Sequence, residues 1–235
     1  MKNHLIKMIF CLLGLFCLAA CSNDEDASLP NKTPEATGTF TDQRDGNEYH
    51  WIKMDGLEWM TDNLRYDLGD GINSSYYLDY NDSHEYNYVD KFSAKYGFLY
   101  SYQGALDAVP DGGWRVPTDD DWKALERALG MSKEEADALE WRGVTAGELM
   151  KQSEGGTLLH TLLAGYYTSL TAYQSPSYRF MGVYGYYWTS TKDENKEGEY
   201  YFYRKLYTSS SQVYRQSMDK SANKLSVRLV RNATN

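Results

Sequence analysis

Gly113-Trp114-Arg115-Val116-Pro117-Thr118-Asp119-Asp120-Asp121-Trp122 is the stretch on which the fold is read. Thr118 is an N-cap residue, and Asp121 completes a Thr-x-x-Asp capping pattern. Asp119 and Asp120 stand where the helix dipole favours acids. Trp122, Leu125, Ala128 and Leu129 then recur at helical spacing, and Gly130 closes the helix. Ser132-Lys133-Glu134-Glu135 opens a second helix, with Ala136 and Leu139 inward and an end near Gly143. Thr145 to Lys151 reads as a further helical turn.

On both sides of these helices the pattern is of strands. Asp45-Gly46 and Asp55-Gly56 are hairpin signals. Between them Glu48 to Met54 alternates, with His50, Ile52 and Met54 on one face and Tyr49, Trp51 and Lys53 on the other. Leu57 to Met60 answers as the next strand. Residues 66 to 95 are polar and Tyr-rich without a period, and read as a long loop. After Gly155-Gly156, strands are expected at Leu158–Tyr167, Tyr184–Thr191, Glu199–Thr208, Gln212–Met218 and Lys224–Val230. Strands, two central helices and strands again make an α+β domain, mostly antiparallel, over residues 39–235.

The N-terminus is an address. Lys2 and Lys7 precede an apolar run from Met8 to Leu18, too short for a comfortable membrane span. It ends in Leu18-Ala19-Ala20-Cys21, which resembles the lipobox of bacterial lipoproteins. Residues 1–20 are therefore expected to leave, with Cys21 lipidated. Cys11 and Cys17 leave with the leader, so the mature chain has no free thiol and no disulfide. Ser22 is not the Asp that holds such proteins at the inner membrane. Asp24-Glu25-Asp26 resembles a surface-export signal, and a solvated acidic tether explains it equally. Residues 21–38, with Pro30, Pro34 and Gly38, form the linker. An outer-membrane location, at the cell surface, is the expectation.

Composition removes several classes. The chain has 235 residues, 42% hydrophobic and 24% charged, enough apolar content to fold. Its net charge of -9 gives no basic footprint, so no nucleic-acid partner is expected. His50, His84 and His160 lie far apart, without metal-ligand spacing. Neither metal nor cofactor is expected. Asp67, Asp70, Asn73, Asp79, Asn81 and Asp82 have the chemistry of calcium ligands, though ordinary loop polarity also accounts for them. Nothing brings two of Glu126, Glu148 and Glu154 to glycosidase spacing. No Ser-nucleophile or phosphate-loop motif occurs. An enzyme is not expected.

Several segments in order resemble one family. Trp59-Met60-Thr61-Asp62-Asn63-Leu64 resembles its W-M-x-x-N-L motif, and Tyr96 to Tyr102 its Y-G-x-L-Y-x-W. Gly113 to Trp122 resembles G-W-x-x-P-(S/T)-x-x-E-W, with Asp121 in place of Glu. Gly185-Tyr186-Tyr187-Trp188-Thr189-Ser190-Thr191 and Leu225 to Arg231 match two later motifs. The family is the Fibrobacter succinogenes major paralogous (FISUMP) domain, itself similar to C-type lectin-like and formylglycine-generating-enzyme folds. The resemblance implies twisted sheets, two helices, long loops and neighbouring termini. Many relatives carry Cys where this chain has Val109 and Leu229. If those pair in relatives, apolar contact replaces a bridge here. The reactive Cys pair of the formylglycine-generating enzymes is missing, as are the calcium-binding tripeptides of sugar-binding lectins.

The composition also holds 22 Tyr, dense towards the C-terminus. In Tyr200 to Tyr207, alternation puts Tyr201, Tyr203, Lys205 and Tyr207 on one face, with Phe202 and Leu206 on the core face. With Tyr214 and Ser209 to Ser211 beside it, that face has the Tyr/Ser character of binding surfaces. The functional expectation is a non-catalytic, lipid-anchored surface protein binding a glycan or a protein there. The alternative is an envelope structural or assembly lipoprotein docking a fixed partner. A half-buried sheet lined with Tyr leaves the face without a ligand.

Overall fold

A computed structural model describes residues 29–76, 95–169 and 177–234. The leader, Cys21, the acidic run, Asp79, Asn81, Asp82, His84 and Tyr173 lie outside the described residues. No helix among the described residues is long and apolar enough to cross a membrane.

Four antiparallel strands form the first sheet: β1 (Ala36–Thr41), β2 (Glu48–Met54), β3 (Leu57–Met60) and, at the far end of the chain, β13 (Val230–Asn232). Both Asp-Gly hairpin signals hold. Asp55 and Gly56 turn β2 into β3 with φ of 53° and 76°, the left-handed pair such a turn demands. Because β13 pairs with β3, the first and last described strands share one sheet. A two-stranded ladder of β4 (Ser74–Ser75) and β5 (Leu99–Tyr100) follows. The larger sheet has seven strands. It joins β6 (Glu140–Arg142), β7 (Ala164–Thr168), β8 (Ser177–Met181), β9 (Tyr184–Lys192), β10 (Tyr200–Tyr207), β11 (Val213–Asp219) and β12 (Asn223–Lys224) in the order β12-β7-β9-β10-β11-β6, with β8 also on β7. All its pairings are antiparallel except β7 with β9. The domain is α+β, mostly sheet.

The described helices are short: α1 (Tyr102–Asp107), α2 (Asp119–Ala128), α3 (Lys133–Asp137) and α4 (Ala146–Lys151). α2 and α3 start with the two capping boxes read from the sequence, at Thr118/Asp121 and Ser132/Glu135. α1 was not foreseen. Its cap is Ser101, whose hydroxyl accepts the Gly104 N–H, and Gly104 lets the loop at Asn73 approach. A Cβ there would sit 2.3 Å from the Asn73 carbonyl oxygen.

Three other expectations need correction. The second helix ends at Asp137, because Glu140 adopts a left-handed φ of 66° and turns the chain into β6 against β11. Leu139, expected inward, is therefore 49% exposed. The strand expected at Leu158–Tyr167 begins only at Ala164. Leu158 and His160 have left-handed φ of 56° and 47°. Here the carbonyls of Leu159 and His160 accept from the buried Arg228 guanidinium, which also donates to Asn63 Oδ1 and the Met60 carbonyl. Finally, the strand expected at Lys224–Val230 pairs only at its ends. Its middle, Leu225 to Leu229, is wholly buried and bridges Tyr100 and Tyr187.

The seven-stranded sheet lies between two apolar clusters. Trp122, Leu125 and Leu129 of α2 and Leu149 of α4 pack with Tyr187, Leu206 and Val213 on one side. Tyr102, Trp114, Trp188, Leu225 and Leu229 pack with Tyr186 and Tyr203 on the other. Trp114, Trp122 and Trp188 are at most 4% exposed, as expected of core aromatics. Leu229 belongs to the same cluster, and Val109 packs against it partly buried.

Candidate functional site

β10 divides the chemistry of the sheet by alternation. Its Phe202, Arg204 and Leu206 face α2, and Arg204 lies directly opposite Arg215 of β11. Two buried like charges side by side need compensation, and α2 supplies it. Asp119 bridges them, 2.7 Å from Arg204 Nη1 through one oxygen and 2.7 Å from Arg215 Nη2 through the other. Glu126, two turns on and on the same helix face, takes Arg204 Nε at 2.6 Å and Arg142 Nη2 at 2.5 Å. Burial alone raises the Asp119 pKa, but hydrogen bonds and charge from Arg215 and Arg204 hold it well below the usual carboxylate range. Burial pushes the Arg142 guanidinium down to about 10, against the pull of Glu126. Glu126, imagined from sequence as half of a carboxylate pair, is thus wholly engaged in ion pairs.

The other face of β10 changes character along its length. Tyr201 stacks on Tyr102 of α1, with centroids 3.7 Å apart. Tyr203 is 7% exposed, between Tyr186 and Tyr214. Tyr203, expected on the ligand-facing side, is therefore core, while Tyr201, packed on Tyr102 of α1, is half-buried. Lys205, Tyr207, Tyr184, Tyr214 and Trp141 are half-buried. Tyr207 stacks on Tyr184 at 4.8 Å, and Phe180 of β8 meets Tyr184 edge-on at 5.4 Å. Trp141 of β6 meets Tyr214 at 5.2 Å. These rings form one aromatic surface floored by Tyr186 and Tyr203. Burial raises the phenol pKa of both floor residues, which stay neutral donors at neutral pH.

Lys205 sits in the middle of that surface. Its ammonium is 3.8 Å from the Tyr214 ring centroid, 5.0 Å from Trp141, 5.6 Å from Tyr184 and 5.9 Å from Tyr186. Among the described residues it makes no ion pair and no hydrogen bond. Burial lowers its pKa, and Glu140 opposes that shift. The neighbouring Ser209–Ser211 turn is pinned by Lys151, whose ammonium donates to the carbonyls of Tyr207, Thr208 and Ser210. Sequence alternation found Tyr201, Tyr203, Lys205 and Tyr207. It missed Trp141, Phe180 and Tyr184, which other strands bring to the surface; their aromatic character was the only available signal.

A second concave feature lies beside the four-stranded sheet. A cleft of about 500 Å³ is lined by His50, Trp51, Asp62, Ser153 and His160, among others. Asp62 Oδ2 lies 3.0 Å from His50 Nδ1 and accepts the His50 backbone N–H at 2.6 Å, which fixes the imidazole. Burial, then the charge of Arg228, lowers the His160 pKa. No cluster of three His, Cys, Asp or Glu able to hold a metal occurs among the described residues.

No curated protein and no solved structure matches this chain. Residues 52–231 match the Fibrobacter succinogenes major domain, well over half of the sequence and every strand and helix just described from within β2 to within β13; the chain belongs to that family.

Proposed function

We propose that this protein is a non-catalytic recognition protein whose ligand, a glycan, stacks on the aromatic surface around Lys205. The carrying observation is the continuous, half-exposed set of Tyr184, Tyr207, Tyr214 and Trp141. Rings that form the core do not need to stay half-exposed, and flat aromatic faces suit the apolar faces of sugar rings. Tyr and Trp bury large area at low entropy cost and keep a polar tip for a hydroxyl. The floor is buried, with Tyr203 and Tyr186 at 7% and 9% exposure. The rest of the proposal follows the sequence: a lipid anchor at Cys21, the outer membrane, and display at the cell surface. A C-type lectin-like organisation fits the same picture, supported by terminal strands sharing one sheet.

One observation favours a protein partner instead. Phe180 and Val183, at the β8–β9 turn, are 45% and 37% exposed beside Tyr184. An aliphatic side chain such as Val183 offers a sugar ring no flat face and suits a docked protein, as in the envelope-assembly alternative. Affinity electrophoresis through gels containing different polysaccharides decides between the two. A glycan reader is retarded by at least one polysaccharide, and Tyr184→Ala and Tyr207→Ala abolish the retardation. Migration unchanged in every gel removes the glycan reading.

A further inference from the structure

We propose that the glycan read by this surface is acidic, and that Lys205 is the residue that selects its carboxylate. The inference rests on the binding-surface reading above and adds the ligand's charge. Most of the other lysines are paired. Lys123 pairs with Asp119 and Asp137, Lys151 with Glu148, and Lys192 and Lys220 with Glu199. Lys224 donates to Ser75. Lys205 has none of this among the described residues. Ring faces meet its charge through their quadrupoles but accept its three N–H groups poorly.

The nearest acid is Glu140, and it is occupied. Its Oε1 accepts from Gln216 Nε2 at 3.1 Å, and Tyr214 also interacts with it. An ammonium half-sunk among rings loses hydration, so a carboxylate reaching it from solvent meets a stronger field than it would over an open surface. The stacked rings on either side then place a sugar with its substituent over Lys205. Aromatic stacking alone has no preference between a neutral sugar and a uronate; the cation supplies one. The chain's overall acidity works against anions at long range, but beyond roughly 8 Å that repulsion is screened at physiological salt.

The test compares the full chain with Lys205→Met and Lys205→Arg. Met keeps the apolar stem and removes the charge; Arg keeps the charge. Binding is measured to polygalacturonate, to a sulfated glycan (chondroitin sulfate) and to neutral xylan. The parent is expected to prefer polygalacturonate over xylan at least tenfold. Lys205→Met should erase that preference by weakening only the acidic ligand, with an unchanged melting curve, and Lys205→Arg should keep most of it. Stronger binding to chondroitin sulfate than to polygalacturonate assigns the site to sulfate and overturns the carboxylate. Equal binding of xylan and polygalacturonate by the parent, or full preference in Lys205→Met, overturns the role of Lys205 and leaves the glycan surface standing. Binding to none of the three, together with no polysaccharide retardation, brings down both.

Discussion

Arg204 and Lys205 are neighbours on one strand, and the two faces of β10 treat their charges in opposite ways. Arg204 is fully buried and meets two carboxylates of its own chain, at 2.7 Å and 2.6 Å. Lys205 is half-buried among four rings and forms no ion pair among the described residues, with Glu140 acting on it only through its charge. The first arrangement is self-contained: α2 was positioned to complete it. The second is left open on the solvent side. A cation whose ion-pair partners come from its own fold fixes structure; one that forms no ion pair is available to something else.

The comparison breaks first, if it breaks, on the buried side. Arg204→Ala leaves Asp119 with Arg215 and Lys123, and Glu126 with Arg142 alone. Removing one partner from a buried pair costs about 3–5 kcal/mol, and urea melts of this variant should show a loss of that order. A loss below ~1 kcal/mol would mean that solvent reaches the network and that the two faces do not differ. Asp119→Asn sharpens the same contrast through pH. The Asp119 carboxyl titrates below its ordinary value of 3.8 in the folded chain. The stability it contributes is therefore complete above that value and is lost as pH falls from about 3.8 towards the lower folded value. The parent should lose stability steeply on acidification below pH ~4. Asp119→Asn should be weaker at neutral pH and show a shallower acid limb, measured by denaturant melts across the acid range.

These buried partners show where sequence reading stopped. The caps of α2, its apolar stripe and the Asp-Gly turns are local, decided within a few residues, and they came through intact. So did the alternation of β10, since its period is set by the strand itself. What alternation could not show was what packs on each face. Alternation gave no partner for Arg204 on the core face, because its partners lie 85 and 78 residues away on α2. Tyr203 looked like part of a ligand-facing side because the rings that bury it, Tyr186 and Tyr214, come from neighbouring strands. Trp141 reached the surface only because Glu140 bends the chain out of α3, a backbone event with no residue-type signature. The family motifs carried the family itself, matched over residues 52–231, and no activity.

The smallest expected effects test the open half of β10 directly. Tyr203→Ala removes a buried ring and should cost about 3 kcal/mol or more, as large-to-small core changes do. Tyr207→Ala, four residues on, removes a half-exposed ring whose described ring contact is the Tyr184 stack. That pair is worth roughly 0.5–1.5 kcal/mol beyond its area, and the side chain keeps solvent on its free side. Melting curves of the two variants should therefore separate widely although both delete the same side chain from the same strand. Binding should order them the other way: Tyr207→Ala loses ligand while staying folded, and at an interface a single aromatic anchor can carry about 2 kcal/mol or more. If Tyr207→Ala proves as unstable as Tyr203→Ala, the aromatic surface is core along its whole length. Lys205 would then be a cation sealed by its own rings, and the asymmetry between the two faces of β10 would be one of packing alone.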